Sequence, residues 1–368
     1  MIKLFDTIRQ YEAIKNEVDS AVKRVFEAGN FILGNEVDEL EEWLKEYTNS
    51  MGCVGVANGT DALQIALMAI DLKPGDKVIV PSFTWVSSVE VIKLLGAVPV
   101  YIDIDPIDFC YSLDELERLL VQEKPKAFIA VSLFGNASKI EKATDLCRIH
   151  GATCIEDAAQ SFGAKCNNKM SCSIADISTT SFFPSKPLGC FGDGGAIFSN
   201  DQNLTRICRE ISRHGQIERY RYSRVGLNSR LDTVQAAILL EKVKIFENEI
   251  SLRNNLAKKY DEALKNFDEL STPNINQEIN RSVWAQYTLL LKDESIRSDL
   301  LEFFKKNKIQ AALYYPVPLH SNPIYRSNNA VLTKTEEICK KVISIPMHPY
   351  LSEKEQAYII ETLKNFYD

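Results

Sequence analysis

The chain has 368 residues, of which 45% are hydrophobic and 25% charged. That balance excludes a disordered tail, a collagen-like rod and a small disulfide scaffold. A net charge of −7 argues against a general nucleic-acid binder, which needs a basic surface. The opening residues, MIKLFDTIRQYEAI, hold no apolar run of signal-peptide length. Later apolar stretches are broken by Lys, Glu, Asp or Pro well before the roughly 18 residues that a membrane span needs. A cytoplasmic protein without membrane insertion is expected. Nine cysteines, with no CxxC pair, and only four histidines speak for free thiols in a reducing compartment and for no metal site.

In chain order, the first feature is Asn58-Gly59-Thr60-Asp61 before the helical run ALQIALMAI. Free N–H groups at that helix start suit a phosphate, with the Thr60 hydroxyl beside them. A plain capped helix, with Asp61 as a first-turn acid, is the competing reading. Neither GxxxxGK[ST] nor GxGxxG is present. Next come a strand at Lys77–Pro81, a helix over Val86–Leu95 and a strand at Val98–Ile104. A strand at Ala127–Leu133 and a helix over Lys139–His150 follow, and then Ala152–Ile155 runs into Glu156 and Asp157. Such alternation predicts a mostly parallel sheet covered by helices, with ligands at the carboxyl ends of the strands.

Asp157 stands at such an end. It is either a helix cap or the acceptor for a cationic ring nitrogen. Ala158 and Ala159 would let a flat ring lie close, and Gln160 offers an amide to a phenolic oxygen. Lys186 lies in Ser181-Phe-Phe-Pro-Ser-Lys-Pro-Leu-Gly, after a strand-like run. Partial burial there lowers an amine's pKa and makes it nucleophilic. Ser181 is a further candidate for phosphate, and Trp85 an aromatic to stack on a ring. Together these are the parts that pyridoxal phosphate chemistry needs. Beyond residue 230 the rhythm changes. Helices are expected over Leu231–Ile245 and Glu247–Leu264, a strand over Trp284–Lys292, and helices over Ser298–Lys306 and Ser352–Phe366. The resulting division is a large cofactor-binding domain, 1–247, and a smaller α+β domain, 248–368, joined by the N-terminal strand.

Several motifs carry a family pattern across nearly the whole chain. They include FILGNEV, VANGTDALQIAL, PSFTW, IEDAAQSFGA, TSFFPSKPLGCFGDGGAIFSN, VGLNSRLDTVQAAILL and SIPMHPYLS. With these the sequence resembles the DegT/DnrJ-type sugar aminotransferases, which are pyridoxal 5′-phosphate enzymes of fold type I. The resemblance implies that Lys186 bonds the cofactor and Asp157 partners its ring nitrogen. It implies that Gln160 meets the phenolic oxygen, that Gly59, Thr60 and Ser181 hold phosphate, and that Trp85 stacks. Asn228, supplied by the neighbouring subunit, would complete the phosphate site, so a homodimer with shared sites is implied.

The implied reaction moves an amino group from L-glutamate to a keto group of a nucleotide-linked sugar, for surface polysaccharide such as lipopolysaccharide O-antigen. Within the family, NGTDALQI, TSFFPSKPLGC and NSRLDTVQAAILL are closest to the group acting on UDP-2-acetamido-3-keto-glucuronate. There the arginine matching Arg230 meets the sugar carboxylate, and Tyr314 and His320 would flank the substrate. That group reads HYPIPLN where this chain reads Tyr314-Tyr-Pro-Val-Pro-Leu-His320, and it often has tyrosine for Trp85. A 3-keto or 4-keto 6-deoxy sugar therefore stays open. A dehydratase would carry histidine in place of Lys186, and a non-catalytic regulator or scaffold would be expected to lose Lys186 or Asp157.

Overall fold

Seven five-residue strands form one sheet in the order Gly52–Val56, Gly195–Ser199, Ile177–Ser181, Thr153–Asp157, Ala127–Val131, Lys77–Pro81, Val98–Ile102. The computed structural model describes residues 1–275, 280–327 and 330–368. Gly195–Ser199 runs antiparallel to both neighbours, and the other pairings are parallel. Side chains alternate between faces along each strand, and each face is covered by helices. Cys53, Ile79, Phe128 and Cys154 enter one core, against Leu40 and Leu44, Ile140 and Phe246. Val54, Val78, Val80, Ile129 and Ile155 enter the other, against Leu63, Val89 and Ile211. Burial on both sides explains why the strands read as apolar runs and not as alternating ones.

The expected elements recur with ends shifted by a few residues: Ser87–Leu94, Ile140–Ile149, Tyr287–Leu291, Arg297–Lys306 and Glu353–Asn365. One expectation changes outright. The two helices read on either side of residue 246 are a single helix, Thr233–Leu264. The polar run ENEISLRNN looks like a break, but it holds no Gly or Pro to stop a helix. Its polar groups are absorbed instead. Glu249 accepts from Gln10 Nε2 at 2.8 Å and from the Tyr350 hydroxyl at 2.7 Å, and Glu247 pairs with Arg281 at 2.7 Å.

The C-terminal half of that helix, with Leu256, Tyr260 and Leu264, packs into a third core. This core lies on an antiparallel sheet of Leu270–Ser271, Tyr287–Leu291 and Val342–Ile345. Leu300, Phe304, Ile359 and Leu363 fill it from two further helices. The N-terminal segment joins this region: Ile2 bridges Ile309, with Gln310 N–H donating to the Ile2 carbonyl at 2.9 Å. All nine cysteines are buried and unpaired. Among the described residues no helix is long and apolar enough to cross a membrane.

Candidate active site

Asp157 is the last residue of its strand, Ser181 the last of the next one, and both ends open toward the start of helix Gly59–Ala69. The Asn58 side chain caps that helix, accepting from Asp61 N–H at 2.8 Å. Two glycines allow the close approach. A Cβ on Gly59 would stand 2.7 Å from the Ser181 Cβ, and one on Gly195 would stand 2.6 Å from the Asn58 carbonyl carbon. The helix N-terminus is thereby pressed against two strand ends, and among the described residues no side chain accepts from its Gly59 and Thr60 N–H groups. The Thr60 hydroxyl sits 2.7 Å from that of Ser87.

Asp157 is buried. Its carboxylate accepts from the Ser88 hydroxyl at 3.0 Å and from Ala159 N–H at 3.1 Å. Burial pushes its pKa up, and the nearby Lys186 ammonium and these hydrogen bonds pull it back. Lys186 follows in a tight turn, its N–H donating to the Phe183 carbonyl at 2.8 Å. Burial lowers the Lys186 pKa, and Asp157 opposes that shift. Among the described residues its amine makes no side-chain hydrogen bond or ion pair within 4.0 Å. An amine so placed, a buried carboxylate at the neighbouring strand end and a helix start with free N–H groups fit the aldehyde carbon, ring nitrogen and phosphate of pyridoxal phosphate.

Gln160 is oriented from two sides. Its Oε1 accepts from Phe134 N–H at 2.7 Å, and its Nε2 donates to the Tyr315 hydroxyl at 3.0 Å. One Nε2 hydrogen is left over. Trp85 is 59% exposed, which sets it apart from an ordinary core aromatic. Its ring centroid lies 6.4 Å from that of Tyr315, which hydrogen-bonds Gln160. Tyr314 is half-buried beside Tyr315, the ring centroids 5.8 Å apart.

His320 behaves differently from the expected substrate contact. It is buried, and both ring nitrogens are taken up inside the protein, by Ser82 at 2.8 Å and Glu336 at 3.1 Å. The sequence reading missed Ser87, Ser88 and Tyr315. The serines open the helix Ser87–Leu94, and that position one turn beyond a strand end was the available signal.

Asn228 and Arg230 stand apart from this set. They line a separate concavity of about 590 Å³ with Ile32, Gly192, Asp232 and Gln235. The buried Arg230 Nε has no hydrogen-bond partner there. Asn58, which caps the helix start, also lines that concavity.

A family model described as DegT/DnrJ/EryC1/StrS aminotransferase matches residues 12–364. The chain is 46% identical to the UDP-2-acetamido-2-deoxy-3-oxo-D-glucuronate aminotransferase of Pseudomonas aeruginosa, over 99% of this chain and 100% of that protein. It is 37% identical to a pleiotropic regulatory protein of Geobacillus stearothermophilus, over 100% of this chain and 98% of that protein. A crystal structure of a DegT DnrJ EryC1 StrS aminotransferase from Brucella abortus superposes with a TM-score of 0.94 at 40% identity, covering 100% of this chain and 99% of that one. The chain belongs to the DegT/DnrJ/EryC1/StrS aminotransferase family, enzymes that work through pyridoxal 5′-phosphate.

Proposed function

We propose that the protein transfers the amino group of L-glutamate to the 3-keto group of UDP-2-acetamido-2-deoxy-3-oxo-glucuronate, in the cytoplasm, for surface polysaccharide such as lipopolysaccharide O-antigen. The cofactor is pyridoxal 5′-phosphate. The observation that carries the reaction type is the buried Asp157 at the end of one strand beside the helix start Gly59–Thr60, with Lys186 in the turn that follows the adjacent strand Ile177–Ser181. The observation that supports the sugar is the 46% identity to the P. aeruginosa enzyme over the whole chain.

When bound, the cofactor supplies the electron sink through which an amino group can leave one carbon and join another. Asp157 holds a proton on the ring nitrogen. Its burial strengthens that contact, because little water competes for either charge. The N–H groups at Gly59 and Thr60, with the Ser181 hydroxyl, take the phosphate. Gln160 has its oxygen occupied by Phe134 and one amide hydrogen by Tyr315, so the remaining hydrogen would donate to the phenolic oxygen. Trp85 stacks on the ring. Lys186 would hold the cofactor covalently, and its free amine, whose charged form burial disfavours, would serve as the base at the donor's α-carbon. Both half-reactions use one pocket, so ping-pong kinetics follow.

The second subunit enters through Asn228 and Arg230. We read the unpartnered Arg230 Nε as waiting for a group from outside the chain, and place Asn228 against the phosphate held by a neighbour. A homodimer with shared sites then follows. Mixing the inactive variants Lys186→Ala and Asn228→Asp should restore activity once subunits exchange, because one hybrid site carries neither lesion. Proven exchange without recovery would assign each site to a single chain.

The substrate is tested by the reverse reaction with 2-oxoglutarate. UDP-linked 3-amino-glucuronate is compared with a UDP- or dTDP-linked amino-6-deoxyhexose. Arg230→Lys should lower kcat/KM for the uronate by about 10- to 100-fold, since the planar fork is lost while the charge stays. The neutral sugar should be affected far less. A clear preference for the neutral sugar would replace the uronate by a 3-keto or 4-keto 6-deoxy substrate.

A further inference from the structure

His320 is bound too thoroughly for a surface residue and too near the pocket for an incidental one. It ends the segment Tyr314–His320, which runs from Tyr315, against Gln160, out over the exposed Val317. Opposite lies the loop Ser82–Trp85, which follows strand Lys77–Pro81 and ends in the exposed Trp85. Tyr315 ties both segments to the candidate site, through its hydrogen bond with Gln160 and its ring contacts with Phe83 and Trp85. Their inner ends meet through aromatic rings, Tyr315 standing edge-on to Phe83 with centroids 5.8 Å apart. A second connection is made at the buried Ser82, at the base of its loop, by the last two residues of the segment.

Three hydrogen bonds converge on Ser82. Leu319 N–H donates to its carbonyl at 3.0 Å, His320 N–H donates to its Oγ at 3.0 Å, and that Oγ lies 2.8 Å from His320 Nδ1. The Glu336 carboxylate, on helix Thr333–Lys341, can only accept, so the ring proton of a neutral imidazole stands on Nε2 and is donated to Oε1 at 3.1 Å. Nδ1 is then the acceptor for the Ser82 hydroxyl proton. Every polar atom of the imidazole and of the Ser82 side chain is used. His320 thus ties its own segment to the remote residue Ser82, just after a strand, and to the nearby helix Thr333–Lys341.

We propose that His320 is a positioning residue that holds the two rim loops of the substrate mouth, Ser82–Trp85 and Tyr314–His320, in fixed relation, and so serves binding of the large sugar nucleotide and not of the small amino donor. The inference rests on the aminotransferase reading. Tyr315 has its own attachments at Gln160 and Phe83, so loss of the clamp frees the outer rim while the inner pocket keeps its shape.

The test compares the holoenzyme with His320→Leu and His320→Asn. Three quantities are measured: KM for the nucleotide sugar, the single-turnover rate with L-glutamate, and amide hydrogen exchange by mass spectrometry. His320→Leu should raise KM for the sugar about tenfold, the scale of one or two lost hydrogen bonds, and leave the glutamate rate within about twofold. Exchange should quicken in residues 82–85 and 314–321 alone. Asn offers a carboxamide oxygen where Nδ1 stood, so it should recover most of the lost affinity.

Unchanged KM in a folded His320→Leu protein overturns the proposal. So does an equal loss in both half-reactions with faster exchange throughout, the mark of a merely structural histidine. Should His320→Leu fail to fold, Ser82→Ala removes the same Nδ1 bond and is read by the same criteria. A wild-type protein inert toward glutamate would defeat the aminotransferase reading instead, and local exchange would still judge the clamp.

Discussion

Glu156 and Asp157 are neighbours on one strand, both buried acids, and they point to opposite faces of the sheet. Burial raises the pKa of both. Their surroundings differ. Glu156 accepts from Ser132 at 3.0 Å, Ser171 at 2.7 Å, Ser178 at 3.1 Å and Cys172 N–H at 2.9 Å, which fills both oxygens twice. Asp157 has Ser88 and Ala159 N–H, and an amine that faces it without bonding to it. The first acid is satisfied by its own fold. The second keeps acceptor capacity for something that the chain does not supply. Burial and charge alone do not separate a structural acid from a working one; the count of donors does.

The largest expected effect on the Asp157 side comes from its partner. Lys186→Ala should abolish turnover while leaving the protein folded, because in the proposed mechanism the amine both carries the cofactor and moves the proton. Borohydride reduction and peptide mass mapping should locate the cofactor on Lys186, and a label on any other lysine would sink the assignment. Next, Asp157→Asn should slow single turnover by about 10²–10⁴-fold and weaken cofactor binding, since an amide cannot balance a ring cation. Near-normal turnover in that variant would erase the contrast between the two acids.

Glu156 should answer the other way. Glu156→Leu leaves four buried donors without an acceptor and should cost about 3 kcal/mol or more, read by denaturant unfolding. Glu156→Gln should cost much less, because serine hydroxyls can turn to accept from the new amide while its oxygen keeps Cys172 N–H. Its turnover should stay close to wild type. Turnover lost in proportion to that seen with Asp157→Asn would show that the two faces act as one site.

The smallest effect is a slope. Both acids hold their protons more tightly when folded than when unfolded. The folded state therefore binds more protons from the ordinary carboxylate range up to the raised values, and stability falls as pH rises through that window. Glu156→Gln removes one of the two contributions. Its unfolding free energy should fall less steeply over the same window, and parallel slopes for variant and wild type would remove Glu156 from the effect.

Much of the site was legible in the chain because its chemistry clusters in short segments. NGTD before an apolar helix, an acid after an apolar run, and a lysine between proline turns each state a local geometry that the backbone must adopt. Strand and helix identity around them followed from apolar runs and their spacing, since both faces of the sheet are buried. The continuous helix Thr233–Leu264 was not legible. Its polar middle is tolerated only because Gln10, Tyr350 and Arg281 arrive from segments remote in sequence. Likewise, sequence offered His320 as a ligand contact, whereas packing gave both of its nitrogens to Ser82 and Glu336. The sequence determined which groups could do chemistry, because reactivity belongs to residue type and to nearest neighbours. Tertiary structure decided which of them stay free to do it, because a hydrogen bond satisfied by a distant segment takes that group out of use.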